Sequence, residues 1–114
     1  MRILLLEDDP LLAQIIEEFL LESGHSVRLC MDGAVAEEAI TDESFDLLLL
    51  DIQVPGLSGL DLMRRLNDYR IRIPAIFITS IQGARELRDA FDLGADDYIK
   101  KPFDQSELTF TLER

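Results

Sequence analysis

Five short, mostly apolar runs recur along the chain, each about as long as one β-strand. They occupy residues 3–6, 27–30, 47–50, 75–78 and 97–99. Their lengths predict five strands, and segments with helical periodicity separate them. The run at 47–50 is apolar at every position, which is typical of a central strand that is buried on both faces of a sheet.

The segment after the first run has the pattern of an amphipathic helix. Apolar pairs recur at helical spacing from Leu11 to Leu20, Asp9 is placed as the N-cap and Pro10 takes the first helical position. Gly24 is placed to end this helix. The other predicted helices are 34–40 capped by Asp32, 60–67 capped by Ser58, 82–93 ended by Gly94, and one from near Asp104 to Arg114.

Strands that alternate with helices imply a parallel sheet with right-handed crossovers between neighbouring strands. The predicted fold class is therefore α/β, as a single three-layer α/β/α sandwich over residues 1–114. No repeat, linker or low-complexity stretch divides the sequence.

The composition narrows the classes of function. Asp and Glu number 23 against 11 Lys and Arg, so the formal net charge is −12 and the average field repels DNA and anionic membranes. Cys30 is the one cysteine, which excludes an internal disulfide and a zinc–thiolate cluster and fits a reducing cytoplasm. The apolar run at 3–6 is too short for a signal peptide or a membrane span. We expect a cytoplasmic protein with no direct nucleic-acid binding and no membrane binding by this segment.

Polar side chains follow four of the five predicted strands, at the sheet edge where ligands of open α/β folds bind. They are Glu7, Asp8 and Asp9 after the first strand, Asp51 after the third, Thr79 and Ser80 after the fourth, and Lys100 and Lys101 after the fifth. Two carboxylates about 4 Å apart repel by roughly 4 kcal/mol at an effective dielectric constant of about 20, so such a cluster favours a divalent cation. Oxygen ligands of this kind suit Mg²⁺.

Carboxylates, a hydroxyl and an ammonium group beside a bound metal are the parts that phosphoryl transfer requires. Asp51 is the predicted nucleophile and would form an aspartyl phosphate. The ordinary structural alternatives are an N-cap, which we accept for Asp9, a turn residue for Thr79 and a solvated surface side chain for a lysine. The joint occurrence of these residues at one edge favours the functional interpretation.

The sequence resembles the receiver domain of two-component response regulators over essentially its whole length. The stretches that carry the resemblance are ILLLEDDP, LLLLDIQVPGLSGLDLMRRL, IFITS and GADDYIKKPF. The resemblance implies the flavodoxin-like receiver fold with strand order 2-1-3-4-5, Mg²⁺ as cofactor and a sensor histidine kinase as partner. It also implies a cis Lys101–Pro102 bond.

Residue roles follow from the same resemblance. It implies Asp51 as phosphoacceptor, Lys101 as the lysine that pairs with the phosphoryl group, Thr79 as the switch hydroxyl, and Tyr98 as the aromatic whose rotamer follows the switch. The implied metal ligands are Asp8, Asp51, the backbone carbonyl of Gln53 and, through water, Glu7. Lys100 is expected to be solvated.

Within the family, the stretch GADDYIKKPF is most similar to the OmpR/PhoB class, which implies a winged-helix DNA-binding effector domain that is absent from this chain. The implied output and homodimer face comprises the fourth helix, the fifth strand and the fifth helix. Thr111 stands where that class usually has an arginine that forms ion pairs across the dimer. Kinase docking is expected on the first helix and the loop around Phe103.

Three alternatives are weighed against this interpretation. A pseudo-receiver would keep the fold as a protein-interaction module without phosphorylation, although all five key side chains are present. A phosphatase of the haloacid-dehalogenase kind would need a second Asp where this chain has Gln53. A flavodoxin-like FMN carrier would need a Ser- and Thr-rich phosphate loop after the first strand, where the acidic residues 7–9 would repel phosphate.

Overall fold

The computed structural model of the protein describes residues 1–80 and 84–113. Five strands and five helices alternate along the chain in the predicted order. The strands are β1 (Arg2–Leu6), β2 (Ser26–Cys30), β3 (Leu47–Asp51), β4 (Ala75–Thr79) and β5 (Asp97–Lys100). The helices are α1 (Pro10–Glu22), α2 (Gly33–Asp42), α3 (Gly59–Asp68), α4 (Ala84–Asp92) and α5 (Gln105–Glu113).

All the strands pair in parallel, in the order β2-β1-β3-β4-β5. Alternate residues of β1 face opposite sides of the sheet: Leu4 and Leu6 belong to the core cluster that includes α2, α3 and α4, and Ile3 and Leu5 belong to the cluster that includes α1 and α5. The predicted three-layer sandwich and its strand order are confirmed. β1, β3 and β4 lie inside the sheet, so their carboxyl ends are flanked by neighbours on both sides.

The core is built from side chains that leave almost no surface exposed. Leu48, Leu49 and Leu50 on the central strand are 0 % exposed, as the unbroken apolar run predicts. Burying a side chain of this size contributes roughly 2 kcal/mol relative to leaving it in water. The lone Cys30 is also buried, and this burial raises the pKa of its thiol.

Side-chain caps fix where the helices begin. Asp9 accepts hydrogen bonds from the backbone N–H groups of Leu11 and Leu12 at 3.0 and 3.3 Å, with Pro10 at the first helical position. Asp32, Ser58 and Asp104 likewise accept from backbone N–H groups in the first turns of α2, α3 and α5, at 2.9, 3.1 and 2.9 Å. The four capping residues are those that the sequence places at the starts of these helices.

Glycines follow two helix ends, as predicted. Gly24 after α1 has a φ of 90° and Gly94 after α4 has a φ of 102°, which is a left-handed conformation that glycine adopts without strain. The predicted start of the fourth helix at Gln82 and the predicted end of the fifth at Arg114 lie outside the described residues. None of the helices in the described ranges is both long and apolar enough to cross a membrane.

The third and fourth strands each end one residue later than predicted, and in both cases the additional residue is a candidate site residue. The apolar pattern ends the third and fourth strands at residues 50 and 78, whereas Asp51 and Thr79 are the last residues of β3 and β4. Asp51 pairs in register with Ile78, and Thr79 pairs with Lys100. Both polar residues are therefore held by the hydrogen-bond ladder of the sheet, not by a loop.

Candidate functional site

Four polar side chains from four parts of the chain meet at the carboxyl edge of the sheet. Asp51 ends β3 and Thr79 ends β4, while Glu7 and Lys101 each follow a strand directly, β1 and β5. Parallel pairing brings these ends to one edge, as predicted. Glu7, Asp51 and Thr79 are the buried polar or charged residues of the described chain, in a core that is otherwise apolar.

Lys101 bridges the two buried carboxylates. Its Nζ lies 2.8 Å from Oδ2 of Asp51 and 2.7 Å from Oε1 of Glu7. Glu7 is 0 % exposed and Asp51 is 4 % exposed, so this ammonium is the counter-charge of two carboxylates that have little contact with solvent. The backbone N–H of Lys101 donates to the carbonyl of Thr79 at 2.8 Å, which ties the segment after β5 to the end of β4.

The pKa of Lys101 reflects this bridging position. Burial of the ammonium acts to lower the pKa, but the hydrogen bond to Asp51 and the contact with Glu7 outweigh burial and hold the pKa above its usual value. The ammonium form of Lys101 is therefore favoured by its two carboxylate partners.

Asp51 is oriented at both of its carboxylate oxygens. Oδ2 accepts from Lys101, and Oδ1 accepts from the backbone N–H of Gln53 at 2.9 Å. Gln53 follows β3 in the loop to α3, and its side-chain Oε1 accepts a 3.4 Å hydrogen bond from Oγ of Ser80. The loop that carries Gln53 is thus joined to the acceptor carboxylate and to the end of β4.

Gly59 at the start of α3 lies directly against the backbone of the acceptor. A Cβ added to Gly59 would stand 2.5 Å from the carbonyl oxygen of Asp51, closer than real Cβ contacts allow, and the Gly59 N–H donates to the carbonyl of Ile52 at 3.1 Å. The loop from β3 to α3 therefore closes tightly on the strand. In sequence this glycine resembles an ordinary turn residue, so the contact with Asp51 is not evident from it.

Glu7 carries more charge than its environment compensates. Oε2 accepts from the backbone N–H of Asp9 at 3.2 Å, whereas Oε1 is buried and makes the ion pair with Lys101 without the geometry of a hydrogen bond. Burial is the main reason that the pKa of Glu7 is raised to about 7, the proximity of Asp51 raises it further, and Lys101 opposes the rise. Burial thus favours the protonated form of Glu7 over the carboxylate.

Three carboxylates form a group that could hold a metal ion. Glu7, Asp8 and Asp51 each offer one oxygen, and these oxygens lie within 4.8 Å of one another. Asp8 is exposed while the other two are buried, so the group is open to solvent on one side. An all-oxygen donor set beside one ammonium fits a hard divalent cation such as Mg²⁺, and Oε1 of Glu7, which is ion-paired with Lys101 but accepts no hydrogen bond, can accept one from a metal-bound water.

The two residues predicted as switch elements lie in different environments. Thr79 is completely buried at the end of β4. Tyr98 on β5 is 37 % exposed, and its ring stands edge-on to that of Phe91 on α4, with ring centroids 5.8 Å apart. Tyr98 therefore joins α4 to β5 at the surface, outside the cluster. The Lys101–Pro102 peptide bond is cis, as the resemblance implies.

The raised pKa of Glu7 gives a testable pH dependence in metal-free buffer. Because the folded protein binds more protons than the unfolded chain between the ordinary pKa of 4.5 and the raised pKa of about 7, the free energy of unfolding should fall as pH rises through this window. The variant Glu7→Gln should lose this component and exceed the wild type in stability above pH 7 by about 3 kcal/mol. Urea denaturation in EDTA between pH 5 and pH 8, followed by circular dichroism, measures it.

The matched control is Glu22→Gln at the exposed end of α1, which should keep the wild-type slope. Parallel pH profiles for the wild type and Glu7→Gln would show that Glu7 ionises normally in the folded protein.

Comparisons with known proteins point to one family. The family described as "Response regulator receiver domain" matches residues 3–113. Transcriptional regulatory protein CrdR of Helicobacter pylori is 47 % identical over 114 residues, which cover 99 % of this chain and 54 % of that protein. The chain spans about half the length of the curated relatives it matches.

Two solved structures are similar to this chain in three dimensions. The BeF3-activated N-terminal receiver domain of Klebsiella pneumoniae RstA aligns with a TM-score of 0.91 and 33 % identity, over 99 % of this chain and 96 % of that one. The receiver domain of the Pseudomonas aeruginosa sensor histidine kinase PA1611, with a magnesium ion in its active-site cleft, aligns with a TM-score of 0.87 and 34 % identity, over 99 % and 94 %.

Proposed function

The chain belongs to the family of response regulator receiver domains of two-component systems, and from this membership we propose that Asp51 accepts a phosphoryl group from the phosphohistidine of a sensor histidine kinase with Mg²⁺ bound beside it. One observation carries the proposal. Asp51 is a nearly buried carboxylate at the end of the central strand, positioned by Lys101 and by the N–H of Gln53 within a group of three carboxylates that is open at Asp8.

The proposed reaction is an in-line displacement at phosphorus. A carboxylate oxygen of Asp51 attacks the phosphorus of phosphohistidine, an O–P bond forms, and the N–P bond breaks with its electron pair returning to the imidazole. Lys101 stands beside the attacking carboxylate, so its ammonium is placed to attract an oxygen of the transferred group. The residues that would hold Mg²⁺ are Asp8, Asp51 and the carbonyl of Gln53, with Glu7 accepting from a bound water. When bound, Mg²⁺ offsets the charge on the carboxylates and on the incoming phosphoryl oxygens.

The proposed switch begins at Thr79. A phosphoryl group on Asp51 can accept a hydrogen bond from the hydroxyl of Thr79, and this bond exists in the phosphorylated state alone. Only contacts that differ between two states shift the equilibrium between them. In this proposal Thr79 moves toward the phosphoryl group and Tyr98 turns inward. Because the Tyr98 ring contacts Phe91, its movement would alter the packing of α4 on β5. The output face is therefore α4, β5 and α5.

The partners and the surrounding protein are part of the proposal. Kinase docking is assigned to α1 and the loop around Phe103, and the domain is proposed to act in the cytoplasm. Its relatives are transcriptional regulatory proteins about twice as long as this chain, so we propose that a winged-helix effector domain follows the receiver in the whole protein and carries DNA binding. The receiver itself, with its charge of −12, would not bind DNA and would catalyse only its own phosphorylation and dephosphorylation.

A homodimer through α4, β5 and α5 is proposed with one departure from the family pattern. The Oγ1 of Thr111 donates to the carbonyl of Glu107 in its own helix at 2.9 Å, and threonine has no charge with which to form the usual ion pair. The exposed aromatic side chains Phe91, Tyr98 and Phe110 would supply apolar contact area in its place.

The alternatives receive less support from the site. A pseudo-receiver has no need for a metal-sized group of carboxylates beside a half-buried lysine, and both are present. A haloacid-dehalogenase phosphatase would need a second Asp at position 53, where this chain has Gln53. An FMN carrier would need phosphate to approach three acidic residues, 7–9.

Thermal unfolding with a phosphoryl mimic tests the proposal. Mg²⁺ plus beryllofluoride should raise the unfolding midpoint of the wild type by several degrees and leave that of Asp51→Asn unchanged, because a ligand that binds the folded state alone stabilises it by mass action. Each protein is measured by differential scanning calorimetry with Mg²⁺ alone, with beryllofluoride alone and with both. If neither protein responds, the phosphoacceptor assignment fails and the pseudo-receiver becomes the better account.

A further inference from the structure

We infer that Gly33, at the start of α2, is a positioning residue for the β3–α3 loop (residues 52–58) and through that loop for metal binding. The inference rests on the proposed function, in which the carbonyl of Gln53 in this loop is a Mg²⁺ ligand. The inference adds to the proposed site a residue of α2, which none of the proposed metal ligands belongs to.

Gly33 touches the loop with its backbone and leaves no room for a side chain. A Cβ added to Gly33 would stand 1.7 Å from the carbonyl oxygen of Leu57 and 2.5 Å from its carbonyl carbon. Real Cβ atoms essentially never approach a heavy atom within 3.0 Å, and these atoms belong to the backbone, so a side chain here must displace the loop or the helix by more than an ångström. The N–H of Gly33 also donates to the carbonyl of Pro55 at 3.4 Å. Two loop residues are thus in contact with the first turn of α2.

The loop has little freedom to absorb such a displacement. Its first residues are tied to the site through the N–H of Gln53 and Oδ1 of Asp51, and its last part is tied by Ser58, which caps α3. The side chains of Val54 and Leu57 pack against the core between β1, β3 and helices α2 to α4. A push at Leu57 is therefore transmitted along a short, anchored segment to Gln53.

The choice of glycine is itself unfavourable for the helix. Glycine is among the poorest helix formers, and Gly33 takes the first helical position of α2, directly after the cap at Asp32. Gly33 is buried and does not need a positive φ, which leaves the close approach of Leu57 as the reason for glycine.

The test compares Gly33→Ala with Ala34→Gly. Alanine at 33 should improve the helical propensity of α2 but displace the loop, whereas glycine at the exposed position 34 should weaken the same turn without touching the loop. The dissociation constant for Mg²⁺ is measured by isothermal titration calorimetry at a temperature at which both proteins are folded. Metal-free stability is measured separately in urea. Gly33→Ala should bind Mg²⁺ roughly tenfold to a hundredfold more weakly than the wild type, as is usual for residues that orient metal ligands.

The outcomes separate this inference from the function on which it rests. Weakened Mg²⁺ binding by Gly33→Ala, with Ala34→Gly within twofold of the wild type, supports it. Equal binding by all three proteins overturns it and leaves the proposed function standing. A loss of metal-free stability in Gly33→Ala with unchanged Mg²⁺ affinity also overturns it, because Gly33 would then be structural only. Absence of binding by the wild type overturns both.

A measurement on the wild type covers the case in which Gly33→Ala does not fold. In an NMR titration with Mg²⁺, the amide of Gly33 should shift because its N–H contacts the loop, while the amides of Gly24 and Gly94, which end other helices, should not. A Gly33 amide that stays in place throughout the titration would overturn the inference.

Discussion

Replacing Asp51 with asparagine is expected to abolish phosphoryl uptake, not merely to slow it. An amide oxygen is a far poorer nucleophile than a carboxylate, so no O–P bond forms at this position. The wild type, incubated with Mg²⁺ and an acyl phosphate as a small-molecule donor, should gain the mass of one phosphoryl group, and Asp51→Asn should gain none. Intact-protein mass spectrometry in acid measures the difference directly, and peptide mapping of the wild type should place the modification on Asp51.

The matched control is Asp32→Asn. Asp32 also follows a strand at the carboxyl edge of the sheet, but its carboxylate caps α2, and asparagine caps a helix about as well. This variant should be phosphorylated like the wild type. Uptake by Asp51→Asn at a rate close to that of the wild type would move the acceptor to another residue and contradict the assignment.

The fold could be predicted from the sequence because several independent signals agree. The apolar runs give the strands, and Asp9, Pro10 and Gly24 mark both ends of α1 through interactions within a few residues of the chain. An apolar run at every position of β3 also indicates burial on both faces, which places this strand inside the sheet. Signals of this kind depend on local structure and on periodicity, and both are visible in one sequence.

The strand ends were less accurate for a physical reason. Hydrophobic patterns end where side chains become polar, but the pairing of parallel strands depends on backbone N–H and C=O groups. Asp51 and Thr79 continue the ladders of β3 and β4 although their side chains are polar. Two of the site's polar residues, Asp51 and Thr79, are therefore strand residues that are buried in the sheet.

Contacts between distant parts of the chain could not be derived from the sequence. The sequence assigns Glu7 a role through a metal-bound water, and the structure adds an ion pair with Lys101, which follows β5. The approach of Gly33 to Leu57 has no local signal except a glycine in a helical segment. Both contacts depend on how α2 and the segment after β5 pack, which a one-dimensional pattern does not contain.

The variant Lys101→Met should show the second large effect, in stability and in chemistry together. Removing the ammonium leaves Glu7 and Asp51 buried without their common counter-charge, and loss of one member of such a pair destabilises proteins by about 3 to 5 kcal/mol. At pH 8 in EDTA, the free energy of unfolding should therefore fall by roughly this amount. Mg²⁺ should recover more stability in the variant than in the wild type. Phosphoryl uptake should slow by about 10²-fold or more even with Mg²⁺ present, as is usual when a charge-stabilising donor is lost.

Lys100→Met is the natural control, since Lys100 is the exposed neighbour of Lys101 and carries the same charge. It should match the wild type in stability and in phosphoryl uptake. The double variant Glu7→Gln, Lys101→Met separates electrostatic from packing effects. If repulsion between Glu7 and Asp51 causes the loss of stability in Lys101→Met, the double variant should be more stable than Lys101→Met alone. The effects of the two substitutions on the free energy of unfolding should then be non-additive. Additive effects would mean that the lysine contributes through packing of its side chain. Equal stability of Lys101→Met and Lys100→Met would mean that the charge of Lys101 does not stabilise the site.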